Sequence, residues 1–306
     1  MPIVECDPWR EQYFAQVPCP PGVIVPTDDP ESWRLYPQHR WVFNKLLICA
    51  TQDIEHGPHG VPPARFPVFS KPIYNLKGMG VGSRVIRSGE EYESVLTAGH
   101  MWMTLFEGQH VSTDVAVIGG SAIWWRHTSA VTGEQGTFDY WKVNATADGT
   151  LEETLGAWLA RHLRGYTGMV NFETIDGRII ECHLRFSDQW PDLYGGDRWV
   201  AAVVGLHAHG EWHYDDGGRR DGFSVVLWGP HGLRYRPPPT AVIESLLTRP
   251  GISSVQITFH ADRAPDVHAM PPGGFRLAIV NCWDLAAGIA AREALRAAIH
   301  ELGELR

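Results

Sequence analysis

The chain has 306 residues, and with 44% of them apolar it can bury a large core or two domains. Its net charge of −9 excludes a nucleic-acid partner held by phosphate neutralisation. No apolar run reaches membrane-spanning length, no basic-then-apolar leader follows Met1, and five scattered cysteines (Cys6, Cys19, Cys49, Cys182, Cys282) lack a C-x-x-C pair, so a cytoplasmic protein with reduced thiols is expected.

In chain order, residues 1–40 are proline-rich with a strand expected at Val23–Val25. Trp41 to Cys49 (WVFNKLLIC) predicts a short helix carrying Lys45. Pro67 to Tyr74 reads as a strand and Ser83 to Ile86 as its return. Ser88 to Leu96 opens with a cap and acids, as a helix does. Met101 to Phe106, Val111 to Ile118, Ala122 to His127 and Thr137 to Val143 read as strands. The clearest helix runs from Leu151 to Arg164, with Leu151, Leu155 and Leu159 on one face and Thr150 and Glu153 as a capping box. Two apolar runs then flank Asp176-Gly177, a strong hairpin signal. Residues 207–222 form a loop dense in His, Asp and Gly. Strands follow at Phe223–Trp228, Val255–Phe259 and Phe275–Asn281, and an amphipathic helix spans about Leu285 to Leu302. The mixture is α+β or α/β.

Phe69 to Ile86 (FSKPIYNLKGMGVGSRVI) holds three closely spaced glycines, Gly78, Gly80 and Gly82. A mononucleotide P-loop needs G-K-[ST] opening a helix, and a dinucleotide turn also needs a helix after its glycines. Here a strand follows, so the glycines cap a hairpin whose amides can approach a phosphate. Kinases use such a hairpin, but no H-R-D or D-F-G string is present. Downstream, period-2 geometry puts Asn171 and Glu173 on one face of the first strand of the Asp176-Gly177 hairpin, and Glu181, His183 and Arg185 on one face of the second. Paired carboxylates suit Mg²⁺, and an adjacent arginine suits a phosphate or carboxylate. Cys182 faces the other way. A solvated face of charge pairs is the plainer alternative, weakened by the apolar neighbours Met169, Val170, Ile179 and Ile180.

These motifs together resemble the ATP-grasp superfamily, in particular the branch of carbamoyl phosphate synthetases and biotin carboxylases. Lys71-Pro72 with Gly78 to Gly82 matches its strand and glycine hairpin, Met103 to Asp114 its hinge and following strand, and Asn171, Glu173, Glu181 and Arg185 its N-x-[QE] and E-x-N-x-R strands. The resemblance covers roughly residues 40–190. It implies an α+β, ATP-grasp fold with a reduced N-terminal segment (1–45), a small lid (46–103), a large subdomain (104–200) and a C-terminal α+β region completing it (201–306). It implies an ATP- and Mg²⁺-dependent (alternatively Mn²⁺-dependent) ligase that activates a small-molecule carboxylate as an acyl phosphate for an amine-type nucleophile. Lys45, Lys71, Lys77, Gly78 and Gly80 would contact phosphates, Met103, Thr104, Leu105, Phe106 and His110 the rest of the nucleotide, and Glu173, Glu181 and His183 the metal. Arg185 would stabilise the transferred phosphoryl group, and Arg126 and His127 would line the acceptor pocket. His183 stands where the family usually has asparagine, and His110 where a glutamate often meets the ribose. A small-molecule kinase and a non-catalytic nucleotide-binding homologue are the alternatives, and a homo-oligomer is left open. Outside the resemblance, Arg276 sits within an apolar strand and needs a partner. His207, His209 and His213 have zinc-compatible spacing, although a solvated histidine loop is the simpler reading.

Overall fold

The computed structural model describes all residues except Met1, 5–6, 134–135, 264–267, 269 and 305–306. Cys6 therefore lies outside the described residues, and the other four cysteines are free thiols.

A large antiparallel sheet organises the chain. Its eight strands lie in the order Ile252–Ile257, Phe275–Cys282, Gly222–Gly229, Phe138–Val143, Ser121–Thr132, His110–Ile118, Gly168–Ile175 and Arg178–His183. Strands from residues 222–282 thus continue the sheet begun by residues 110–183. A second sheet of four strands (His56–Pro58, His100–Thr104, Val68–Pro72, Arg84–Ile86) carries the glycine hairpin between its last two. Leu233–Arg236 and His300–Glu304 form a two-stranded ribbon.

Alternation along the large sheet separates two cores. Val115, Val117, Val170 and Phe172 face the helix Gly149–His162, packing on its Leu151, Leu155, Trp158 and Leu159. Ala116, Trp124 and Met169 face the opposite way, onto Trp199, Val200 and Val203 of the helix Asp197–His209. Further along this second face the side chains become polar: Ser112, Asp114, Asn171, Glu173, Glu181 and His183. Beyond the helix the sheet needs no apolar cover, and that is where a cleft opens. Leu285–Ala298 closes a third core with Leu227, Ala278 and Val280.

Several expectations are corrected. Val23–Val25 is not a strand; the Val25 amide donates to the carbonyl of Pro2 at 2.7 Å outside any sheet. The Trp41–Cys49 segment is broken into a 3₁₀ turn, Arg40–Phe43, and a helix, Lys45–Ala50, because the Asn44 side chain caps the amides of Leu46 and Leu47. The long helix starts at Gly149, where Asp148 rather than Thr150 caps the Leu151 amide at 3.0 Å. The helices Asp197–His209 and Thr240–Leu247 and the strand His300–Glu304 were not read from sequence. Among the described residues, no helix is long and apolar enough to cross a membrane.

Candidate functional site at the edge of the large sheet

The polar cleft is built from backbone register. Glu173 and Glu181 are directly paired across the last two strands, and Asn171 is paired with His183. The bulge between Glu173 and Thr174 preserves this match despite the Asp176-Gly177 turn, where both residues adopt positive φ. Lys71 reaches in from the small sheet and Lys45 from the first turn of its Asn44-capped helix.

Both lysines are buried, at 1% and 5% exposure, so each needs a counter-charge. Glu181 serves both: its Oε1 lies 3.6 Å from Lys71 Nζ and 3.7 Å from Lys45 Nζ. Lys71 Nζ also donates to the Ile180 carbonyl at 2.8 Å. Burial pulls the Lys71 pKa down against the attraction of Glu181. Glu173 sits 3.2 Å from His110 Nε2. Burial alone would raise its pKa, but the His110 hydrogen bond and the charges of His110, His183 and Arg185 bring it to about 2. It is therefore an anion at neutral pH.

The third wall comes from a residue that the sequence reading did not single out. Asp29, at the first position of the helix Asp29–Leu35, is 3% exposed. Its carboxylate accepts from His183 Nδ1 at 2.9 Å and from Arg185 Nε at 3.1 Å. Burial raises its pKa, and the charges of Arg185 and His183 outweigh that and lower it. The Asp28-Asp29-Pro30 string signals a helix start, with Asp28 as the cap. Nothing local in it signals a contact with residues about 155 positions away. Asp114 was likewise missed as a site residue. It is buried beside Asn171, accepting from Asn171 Nδ2 at 2.9 Å, the Ser187 amide at 2.9 Å and Tyr194 Oη at 2.8 Å. Burial raises its pKa to about 6, against these hydrogen bonds.

The glycine hairpin joins the strand that carries Lys71 to Arg84–Ile86. Gly78, Gly80 and Gly82 take φ of +72°, +61° and +78°, which side-chain-bearing residues rarely adopt. At Gly82 an added Cβ would also stand 3.1 Å from the His100 ring. The Asn75 side chain pins the turn by donating to the Gly78 carbonyl at 2.9 Å. At the tip, Met79 Sδ lies 3.9 Å from an Arg276 guanidinium nitrogen. Lys77 is exposed on this hairpin. Met103 and Phe106 pack with Cys49, Ile54, Met101, Phe69 and Ile180, while the Thr104 amide and hydroxyl donate to the Glu55 carbonyl. Leu105 follows, half-buried, in the link between the sheets. Asp29, Lys45, Asn75, Glu181 and His183 line a shallow pocket at the edge of the large sheet.

The structure thus gathers Lys45, Lys71, His110, Glu173, Glu181, His183 and Arg185 around one cleft. It does not bring His127 there. Adjacent residues on a strand point oppositely, and His127 faces the Gly149–His162 helix, bonded to Thr113 Oγ1 at 2.9 Å and Glu152 Oε1 at 3.1 Å. Arg126 shares the cleft's face but stands three strands from His183, its row running through Asp114 and Asn171. It is bound to Asp216 at 3.5 Å and to the Arg220 carbonyl at 3.0 Å. Arg276 has a buried Nε with no hydrogen-bond partner among the described residues, and burial lowers its pKa to about 10 against the attraction of Asp188. Cys182 packs in the core on the opposite face, as expected. His207 bonds Tyr36, and His213 is exposed beside Glu211. Among the described residues, no three His, Cys, Asp or Glu side chains stand as a preformed metal cage, which removes the zinc candidate.

No protein-family model matches this sequence, and no curated protein is similar to it in sequence. Solved structures are similar in fold. An L-amino acid ligase from Bacillus licheniformis superposes with a TM-score of 0.60 at 12% identity, over 97% of this chain and 84% of that one. A phosphoribosylamine–glycine ligase from Thermotoga maritima gives 0.61 at 14% identity, over 96% and 86%. A carboxyaminoimidazole ribonucleotide synthase from Aspergillus clavatus, complexed with ATP, gives 0.60 at 12% identity, over 87% and 75%. The chain has the ATP-grasp fold, and its α+β class is as expected.

Proposed function

We propose that this protein is an ATP-dependent, ADP-forming carboxylate–amine ligase. The observation that carries the reading is the convergence of two buried lysines, one of them on the strand that leads into a glycine hairpin, with a strand-paired glutamate couple and Arg185, in a fold whose solved neighbours include ligases. Residues 46–103 would form the lid, with 104–200 and 201–306 together forming the body. The donor set fits a divalent cation that arrives on a nucleotide. Such an ion takes one or two carboxylates plus phosphate oxygens and needs no preformed protein cage. Glu173 and Glu181 supply the carboxylates, and His183 offers a buried Nε2 without a hydrogen-bond partner among the described residues. A cation held there would offset negative charge on the nucleotide phosphates.

Lys45 and Lys71 would hold the phosphates, exchanging Glu181 for phosphate oxygens as Glu181 turns to the cation. The hairpin amides around Gly78 and Gly80 would cover them, and Met103 to Phe106 would border the base. The carboxylate substrate would attack the γ-phosphorus while the bond to the β,γ-bridging oxygen breaks, releasing ADP. Arg185 would stabilise the charge spread over the transferred group. Attack by an amine on the acyl phosphate then releases phosphate. Closure of the hairpin excludes water, which would otherwise hydrolyse that intermediate.

The experiment is a screen of carboxylic acids with ATP, Mg²⁺ and hydroxylamine. ADP and a hydroxamate are expected. AMP would overturn the acyl-phosphate route, and ADP with a stable phosphorylated product would make the protein a kinase. One observation favours a second reading, a homologue without catalysis: Glu181 already neutralises both lysines and Asp29 already holds Arg185. Under that reading, a nucleotide-binding homologue, calorimetry detects ATP binding while no acid in the screen releases ADP.

A further inference from the structure

We propose that Asp29 is a positioning residue that makes His183 a nitrogen ligand, so that the Glu173–Glu181–His183 set prefers a first-row transition ion to Mg²⁺ on the bound nucleotide. The inference rests on the reading of the cleft as a nucleotide site and goes beyond it in naming the cation and a determinant outside the sheet.

The argument starts from the imidazole. A carboxylate only accepts hydrogen bonds, so the 2.9 Å contact between Asp29 Oδ2 and His183 Nδ1 fixes the proton on Nδ1. With Nδ1 so engaged, Nε2 is the nitrogen left to give up any proton and bind an incoming cation. Asp29 cannot swing away easily, because its other oxygen is held by Arg185 Nε at 3.1 Å and the residue is 3% exposed. The ring is buried too, at 4% exposure, and Nε2 has no hydrogen-bond partner among the described residues. A buried polar atom left in that state calls for an explanation. Nε2 points between two carboxylates, 3.6 Å from Glu181 Oε2 and 3.9 Å from Glu173 Oε1. Neighbouring ligands of an octahedral ion with bonds of roughly 2.1 Å stand about 3 Å apart, so each carboxylate oxygen would move less than about 1 Å toward Nε2.

Carboxylate held to histidine held to metal is the arrangement by which an outer partner fixes tautomer and ring direction and raises ligand basicity. Here the outer partner comes from the short N-terminal segment, and the ligands come from the sheet edge. An imidazole nitrogen changes the selectivity of the site. Mg²⁺ demands oxygen and dehydrates reluctantly, whereas first-row transition ions accept a mixed nitrogen and oxygen shell. Mn²⁺, the weakest binder of that series, is the stringent probe.

The test uses the full-length protein with ADP. Calorimetry compares MnADP with MgADP, each corrected for the affinity of free ADP for the ion. Pulsed electron paramagnetic resonance then reads nitrogen coupling to Mn²⁺ in protein uniformly labelled with ¹⁵N, against unlabelled ADP. The wild type is expected to prefer MnADP at least about tenfold and to show a protein ¹⁵N coupling. His183→Asn restores an oxygen donor, and both the coupling and the preference should vanish while MgADP still binds. Asp29→Asn, if folded by circular dichroism, should weaken MnADP roughly 10- to 100-fold and MgADP far less. Bound ADP with no protein nitrogen coupling, or an Mn-to-Mg ratio unchanged in His183→Asn, overturns this inference and leaves the nucleotide site standing. Failure of the wild type to bind either complex overturns both.

Discussion

Glu181 is the residue on which stability and function are most tightly joined. Replacing it by glutamine removes the anion that two buried lysines share, at 3.6 and 3.7 Å, and leaves the side-chain volume unchanged. At an effective dielectric of about 20 each contact carries a gross attraction of about 4–5 kcal/mol. Desolvation of the ions offsets much of it, but losing one partner of a buried pair still costs about 3–5 kcal/mol, because charge remains without compensation. Glu181 keeps 18% of its side chain exposed, so the low end, about 3 kcal/mol, is expected. Lys71 is the more buried lysine and carries most of the penalty. The double variant Glu181→Gln/Lys71→Met, with both charges gone, should therefore recover to within about 1 kcal/mol of the wild type. Urea unfolding of the four proteins of this cycle gives the stabilities, and ADP release gives activity. The double variant should be stable and inactive, which separates the two roles. A Glu181→Gln protein as stable as the wild type would refute the reasoning, as would a double variant no more stable than the single.

Three other outcomes follow from the geometry. If the glycine hairpin is a lid that orders over the nucleotide phosphates, proteolysis between Gly78 and Gly82 should slow when MgATP is added, and unchanged cleavage would count against the lid. Asp148→Ala should cost about 1 kcal/mol and Thr150→Ala much less, because the Asp148 side chain caps the helix; equal losses in thermal unfolding would contradict that assignment. Burial lowers the His207 pKa to about 4 from an ordinary value near 6.5, so its contribution is complete above about 6.5 and is lost as the pH falls toward 4, by up to about 3 kcal/mol; His207→Phe should flatten stability across that range, and an unaltered pH profile would exclude His207 as the cause.

The sequence by itself determined the local part of this protein. Period-2 alternation placed Asn171 and Glu173 on one face of the strand before Asp176-Gly177, and Glu181 and His183 on one face of the strand after it with Cys182 on the other, but only the bulge beside Glu173 in the folded sheet matched the two faces. The glycines between two strands marked a hairpin rather than a helix-opening loop for the same kind of reason. Where local signals competed, the sequence misled. Thr150 and Asp148 both suit a cap, and only the path of the chain chose Asp148. Arg126 and His127 were read as a pair, yet neighbours on one strand face opposite layers, and only one layer holds the cleft. The tertiary structure alone decided what lies across from these faces. It brought Lys45 and Lys71 to one carboxylate, and it folded the N-terminal segment so that Asp29 meets His183 and Arg185. Contacts between residues that far apart leave no periodic trace, because a buried charge specifies only that some counter-charge must reach it, and packing selects which one does.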